Sequence, residues 1–307
     1  MEGTKKMSVS GKPVVAVTGA SGQLGRRVVE LLLESNAGKV VGVTRTPDKL
    51  ADLAGRGAEI RKGDFDHPKE LERAFAGVDR VLIVSTDALG HPRGRHAHHA
   101  DAIKAAENAG VTHAAYTSFI GPRPTSYLSV PNDHFQTELA IAQSKLTWTF
   151  LRNNQYTDAL LWGLPQAVAT GTLFTAAGSG GRSYVTREDC ARVAVAALLS
   201  DFEGHRILDV TGPEAVTQDE IAAIASEITG KPVKHVALSA EDMKKGMIAA
   251  GTPEMFADVL LEFDTATAQG YLAVVTPTVK DLTGREPTSV REYLLANRDA
   301  LLQAQAA

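Results

Sequence analysis

The chain has 307 residues, is 44% hydrophobic and carries a formal net charge of −4 at pH 7; it can bury a substantial core as one large domain or two smaller ones and offers no basic block to nucleic acid or an anionic membrane. Its one cysteine, Cys190, excludes an intrachain disulfide and fits a reducing compartment. No apolar run approaches the roughly 20 residues of a membrane span, so a cytoplasmic protein with neither nucleic-acid nor membrane partner is the expectation.

Residues 1–12 are polar, lack an apolar signal core and read as a disordered tail. Val14 to Thr18 is apolar and β-branched, and it runs into three glycines spaced three apart, Gly19, Gly22 and Gly25. The helical pattern of Arg26 to Ser35 follows. In a strand–turn–helix of this kind the first glycine allows the tight turn, the second lets phosphates approach the backbone, and the third permits close helix packing. The helix N-terminus then points N–H groups at a pyrophosphate. Gly19, Ser21, Gly22, Gln23, Leu24 and Gly25 are therefore cofactor-binding candidates.

A second strand over Lys39 to Thr44 ends at Arg45, and a short helix over Pro47 to Gly55 has Pro47 near its first turn. A third strand, Ala58 to Asp64, precedes a helix over His67 to Phe75. The fourth strand, Val78 to Ser85, is followed by a helix over His96 to Asn108 that Gly110 stops. His113 to Ser118 and Leu146 to Leu151 are the fifth and sixth strands, with a helix over His134 to Ser144 between them. This alternation predicts an α/β fold: a doubly wound parallel Rossmann sheet with helices on both faces.

The second half is less regular. Thr170 to Ser183 reads as a loop or hairpin, Arg187 to Leu199 as a helix and Arg206 to Val210 as a strand. Gln218 to Thr229 is an amphipathic helix, and helices over Glu241 to Ala250 and Pro253 to Phe263 are expected to lie as a lid over the sheet's open end. The expected division is a dinucleotide-binding domain over 13–155, with 183–212 returning to it. A smaller C-terminal α+β substrate domain then comprises 156–182 and 213–307.

Residues just beyond the strand ends carry the chemistry. An NAD site puts an acid near the end of the second strand; here Arg45 stands there, and its fork of donors suits a 2′-phosphate. Lys49 adds charge, so NADP(H) is the expected cofactor. Asp64 suits the adenine amino group and Phe65 its ring, although a turn aspartate and a core phenylalanine fit as well. Ser85 and Thr86, after the fourth strand, are cofactor-binding candidates, and at the fifth Thr117 and Ser118 place hydroxyls near a nicotinamide or back onto their own turn. Asn153, Asn154 and Tyr156 point to the same rim; Tyr156 is a phenol donor, a stacking surface or a core residue. Trp162 and Phe174 line a pocket or belong to the core. His91, His96, His98 and His99 read as a solvated loop and helix start, so no metal is expected, and Cys190 reads as a buried thiol.

Five segments occur in one order: the glycine turn, Thr44-Arg45, Gly63-Asp64-Phe65, Ala115-Tyr116-Thr117-Ser118 and Thr149-Phe150-Leu151-Arg152-Asn153. Together they resemble the NmrA-like atypical short-chain dehydrogenase/reductases, and within them the NADPH-dependent quinone oxidoreductases of type 2 and the triphenylmethane reductases. The resemblance implies a nucleotide-binding domain, a smaller substrate domain and hydride transfer from NADPH to a quinone-like or triarylmethane acceptor. The usual tyrosine–lysine pair is absent, because Tyr127 is followed four positions later by Pro131. Aligned backward from Trp148-Thr149, His134 falls where many relatives have the lysine. There a histidine donates to the nicotinamide ribose, shuttles a proton near neutral pH, or is held by nearby backbone at a helix start. The expected catalytic set is His134, Tyr156, Asn153 and Ser118. The alternative is an NADP-sensing regulator without turnover. Nothing marks an oligomer interface, and a homodimer stays open.

Overall fold

The computed structural model describes residues 11–89, 94–124 and 129–303; the expected tail, apart from residues 11 and 12, lies outside them, as do His91 and Tyr127. In chain order the first half is β1 (Val15–Val17), α1 (Gln23–Glu34), β2 (Val40–Thr44), α2 (Ala51–Gly55), β3 (Glu59–Lys62), α3 (Pro68–Ala74), β4 (Arg80–Ile83), α4 (Arg95–Ala109), β5 (His113–Phe119), α5 (Val130–Ala142) and β6 (Thr147–Asn153). The rest is α6 (Leu160–Thr170), β7 (Thr172–Thr175), β8 (Gly181–Arg182), α7 (Arg187–Leu199), β9 (His205–Val210), β10 (Val216–Thr217), α8 (Gln218–Thr229), β11 (Lys234–Ala237), α9 (Ala240–Ala249), α10 (Glu254–Ala268), α11 (Thr278–Thr283), α12 (Val290–Ala296) and α13 (Arg298–Leu302). No helix among the described residues is long and apolar enough to cross a membrane.

Seven strands form one parallel sheet in the order β3-β2-β1-β4-β5-β6-β9. Its inner strands β2, β1, β4 and β5 are buried on both sides because helices cover both faces. Val15, Val17 and Leu82 pack with Val28 and Leu32 of α1 and Ala194 and Leu198 of α7. Ala16, Val81, Ile83 and Tyr116 face the other way, toward Phe75, Ala102, Ala106 and Ile141. The chain leaves β1 and β4 toward opposite faces, which opens a crevice at their carboxyl ends.

The strands match the hydrophobic pattern; the departures are local. Helix α5 starts at Val130, not His134, because the Ser129 hydroxyl caps it by accepting the Asn132 N–H at 3.3 Å and Pro131 occupies the first turn. His134 is thus one turn inside the helix. The pattern left α6 unassigned because Gly163 and Pro165 interrupt it. The expected loop over 170–183 contains β7, which pairs parallel with β11, and β8, which pairs antiparallel with β10.

A separate apolar cluster of Leu164, Val168, Ile221, Ala225, Val290 and Leu294 joins α6, α8 and α12. Helix α10 reaches back over the sheet, where Phe263 meets Phe119 at the end of β5 edge-on, ring centroids 5.4 Å apart. Arg182 of β8 ties α10 down through Asp264 and Thr267.

Candidate functional site

Beyond β1 the chain turns at Gly19, whose φ of +59° is a glycine conformation. The Gly22 N–H donates to the Gly19 carbonyl at 2.9 Å and closes the turn. Gly25 packs so tightly that a Cβ there would lie 2.4 Å from the Gly19 carbonyl oxygen. Gly22, the N-cap of α1, brings no side-chain acceptor, and the first turn contains no acidic residue. The orphan N–H donors and the positive end of α1 therefore have no side-chain counterpart, the arrangement that suits a pyrophosphate.

These groups form one wall of a cleft of about 550 Å³, to which Gly19, Ser21, Gly22, Gln23 and Leu24 contribute. Gly25 lies beneath it as the packing contact. Thr44 donates to the Ser21 hydroxyl at 2.9 Å and so joins the end of β2 to the glycine turn. Arg45 lines the cleft, is exposed and makes no ion pair with the described residues. Lys49, also exposed, is not among the lining residues. Asp64 and Phe65 line the far end; Asp64 accepts the Asp66 N–H at 3.1 Å. Ser85 and Thr86 line the floor, and Thr117 stands behind them, its hydroxyl accepting the Ser85 N–H at 2.8 Å.

The lining also includes Asp66, His98 and Arg187, which the sequence reading did not assign to the cofactor site. His98 is not solvated; it is buried in α4, with Nε2 2.9 Å from Asp66 Oδ1. His99 is fully buried beside it, and of the described histidines in this stretch only His96 keeps substantial exposure. The apolar face of α4 against α5 and β5 is what buries them, and four histidines in a short span conceal that face. Arg187 opens α7, pairs with Asp158 at 3.0 Å and lies over the Tyr156 ring, 4.9 Å from its centroid.

Of the expected catalytic residues, Asn153 and Tyr156 touch each other, whereas His134 and Ser118 each bond elsewhere. His134 is buried, its Nδ1 2.8 Å from the Tyr116 hydroxyl. Burial, reinforced by Arg95 and His99, holds its pKa well below the usual imidazole range. Burial thus favours its neutral form, and the contact it makes is with the Tyr116 hydroxyl. Ser118 and Thr117 alternate across the sheet, and Ser118 faces α5, donating to Glu138 Oε1 at 2.6 Å. Arg152 grips the same carboxylate bidentately at 2.9 and 2.7 Å, so Ser118 belongs to a buried network instead of the cleft. Tyr156 packs against the core shared by α1 and α7, and burial pushes its phenol pKa up. Asn153 donates to the Tyr156 hydroxyl at 3.2 Å and keeps a buried Oδ1 without a hydrogen-bond partner. Asn154 is used structurally, donating to Ser183 Oγ at 2.6 Å and to the Leu272 carbonyl at 3.0 Å.

Glu138→Gln is expected to destabilise the protein by about 1–3 kcal/mol, the range for a charge-assisted hydrogen bond lost from a buried network, with NADPH affinity within twofold of the parent. Thermal unfolding and calorimetric titration check both halves. Weakened NADPH binding with unchanged stability would place this network in the cleft after all.

A second cavity, of about 630 Å³, adjoins the cleft. Its walls are apolar: Val130 of α5, Trp162 of α6, and Pro253, Phe256, Leu260 and Phe263 at α10. It shares Thr86 and Asp87 with the cleft, so the two cavities meet there. Trp162 is 73% exposed, standing at the mouth rather than in a core. Phe174 lines neither cavity.

The profile of a protein family described as NAD(P)H-binding matches residues 19–201. Quinone oxidoreductase 2 of Escherichia coli K12 is 33% identical over 282 residues, 91% of this chain and 96% of its own. The NAD(P)H azoreductase of Xenophilus azovorans is 31% identical, over 94% of this chain and 99% of its own. The structure of Citrobacter sp. triphenylmethane reductase complexed with NADP(H) is similar with a TM-score of 0.85 at 34% identity, covering 92% of this chain and 99% of that one.

Proposed function

Because the chain belongs to the NAD(P)H-binding family and is an NAD(P)H-dependent oxidoreductase, we propose that it reduces flat, conjugated electrophiles of the quinone, azo or triarylmethane-dye class with NADPH. The observation that carries this reading is the apolar pocket opening onto the cofactor cleft at Thr86 and Asp87. Bound there, NADPH supplies the hydride.

The chain's own residues bind, orient and exclude water. The glycine turn and the first turn of α1 hold the pyrophosphate, Arg45 the 2′-phosphate, and Asp64 and Phe65 the adenine. Trp162, Phe256 and Phe263 present apolar and aromatic surface to a planar acceptor. A conjugated acceptor spreads incoming negative charge through its π-system, so it needs no strong dedicated acid. That agrees with the absence of the tyrosine–lysine pair and with burial that favours the uncharged forms of His134 and Tyr156.

NADPH oxidation measured against a panel of quinones, azo dyes and triarylmethane dyes tests the reading. Turnover with at least one class is expected. Tight NADPH binding with no turnover on any acceptor would overturn it in favour of nucleotide sensing. With an active acceptor, Trp162→Ala is expected to raise the acceptor KM about three- to tenfold, corresponding to about 1 kcal/mol of lost aromatic contact at an exposed site, and to leave the NADPH KM unchanged.

A further inference from the structure

The wall between the two cavities is built from backbone that has left the sheet. Strand β4 ends at Ile83, and the next three N–H groups go to side chains from the turn after β1, from β5 and from α4. Val84 donates to Thr18 Oγ1 at 2.9 Å, Ser85 to Thr117 Oγ1 at 2.8 Å, and Thr86 to His99 Nε2 at 3.0 Å. The other side of the Thr86 residue is held too, because Arg95 Nε donates to its carbonyl at 2.7 Å. Thr86 is thus gripped from α4 at both its N–H and its C=O, and it lines both cavities.

The histidine's role is fixed by its other nitrogen. Thr137 donates its hydroxyl proton to the Asp133 carbonyl at 2.7 Å, so toward His99 its oxygen can only accept. His99 Nδ1, 2.9 Å from that oxygen, therefore carries the ring proton, and the Nε2 lone pair is left for Thr86. One neutral tautomer satisfies both contacts. Complete burial, with Arg95, His98 and His96 close by, keeps the ring in that neutral form.

We propose that His99 and Arg95 are positioning residues for the reductase reaction: by clamping Thr86 they set the wall across which the nicotinamide and the acceptor face each other. The inference rests on the hydride-transfer reading above. Effective reaction needs the reacting atoms held in near-attack geometry, and a small misplacement costs rate without costing binding. The clamp should therefore appear in kcat more than in cofactor affinity.

Two near-isosteric variants separate clamping from packing. In His99→Gln the amide oxygen reaches the position of Nε2 and can still accept the Thr86 N–H. In His99→Asn the side chain stops short, near Nδ1. The readouts are kcat and KM with the quinone menadione or, if it is not turned over, the best acceptor of the panel, the NADP⁺ dissociation constant, the melting temperature, and amide hydrogen exchange at Thr86. Expected for His99→Asn are a kcat at least about tenfold lower, an NADP⁺ dissociation constant within about threefold of the parent, and faster exchange at Thr86. His99→Gln should recover most of the kcat and the exchange protection. Equal losses in both variants that track their melting temperatures, or unaltered exchange at Thr86 in His99→Asn, would overturn the clamp. Absence of turnover by the parent enzyme on every acceptor would instead strike the hydride-transfer reading, while the exchange measurement would still report whether His99 holds Thr86.

Discussion

Arg45→Ala is expected to lower kcat/KM for NADPH by about 10- to 100-fold while leaving that for NADH nearly unchanged, since a charge-assisted hydrogen bond contributes about 1.5–3 kcal/mol. The argument starts from position. Arg45 is the first residue beyond β2, it lines the cleft, and among the described residues no carboxylate pairs with it. Its donors are thus uncommitted and placed where a 2′-phosphate accepts. Thr44 anchors the turn that presents it, donating to Ser21 and accepting the Thr46 N–H at 3.1 Å. Arg45→Glu should go further and favour NADH, because a carboxylate repels the 2′-phosphate and accepts from ribose hydroxyls. Because Arg45 is exposed, the NADPH preference should also shrink as ionic strength rises. Steady-state kinetics with both cofactors is the check, and equal preference in the parent enzyme would remove Arg45 from the assignment.

Gly25→Ala should be the most damaging one-carbon substitution in the cleft. A Cβ there meets the Gly19 carbonyl oxygen at 2.4 Å, its carbon at 2.8 Å and the Thr18 carbonyl oxygen at 3.1 Å. Every obstacle is backbone, so relief requires moving α1 away from the turn. Overpacking of this kind costs about 1–3 kcal/mol. The same displacement carries the α1 N–H groups off their aim at the phosphates, so NADPH affinity should fall at least about tenfold, equivalent to about 1.4 kcal/mol. Gly22→Ala is the informative comparison, because its Cβ would have one tight contact, the Gly19 carbonyl oxygen at 3.3 Å, and it should retain most of the fold's stability. Thermal unfolding with and without NADPH distinguishes them. A Gly25→Ala protein with parental melting temperature and affinity would show that the close approach of helix to turn is dispensable.

Sequence pattern revealed the sheet well because parallel strands covered on both faces are continuous apolar runs, as in Val81-Leu82-Ile83, and because glycine spacing has a backbone reason. It did not reveal α6, where Gly163 and Pro165 break the helical pattern while Leu164, Ala167 and Val168 still find a core. The cofactor side of the site was more legible than the acceptor side for a related reason. Strand ends lie close together in a doubly wound sheet, so position along a strand predicts proximity to the cleft. Which face a side chain takes is a finer matter: Ser118 and Thr117 are neighbours in sequence, yet one serves Glu138 and the other Ser85. The histidine-rich stretch hid its role because composition suggests exposure, whereas His99 is the buried acceptor that holds Thr86. The apolar pocket depends on α6 and α10 meeting α5, a long-range packing that no local pattern encodes.

The seat of Arg187 in the cleft bears on how the protein is made. Helix α7 packs beside α1 on the same face of the sheet, and Arg27 bonds Glu188, 161 residues downstream. During vectorial synthesis β1 to β6 are made before α7, so the part of the Val28 and Leu32 cluster that α7 completes stays uncovered until then. Closing so long a loop is slow, and the waiting apolar stripe is a natural chaperone client. The cleft gains its Arg187 lining only once the chain has come back to the sheet, after every other residue that lines it has been made.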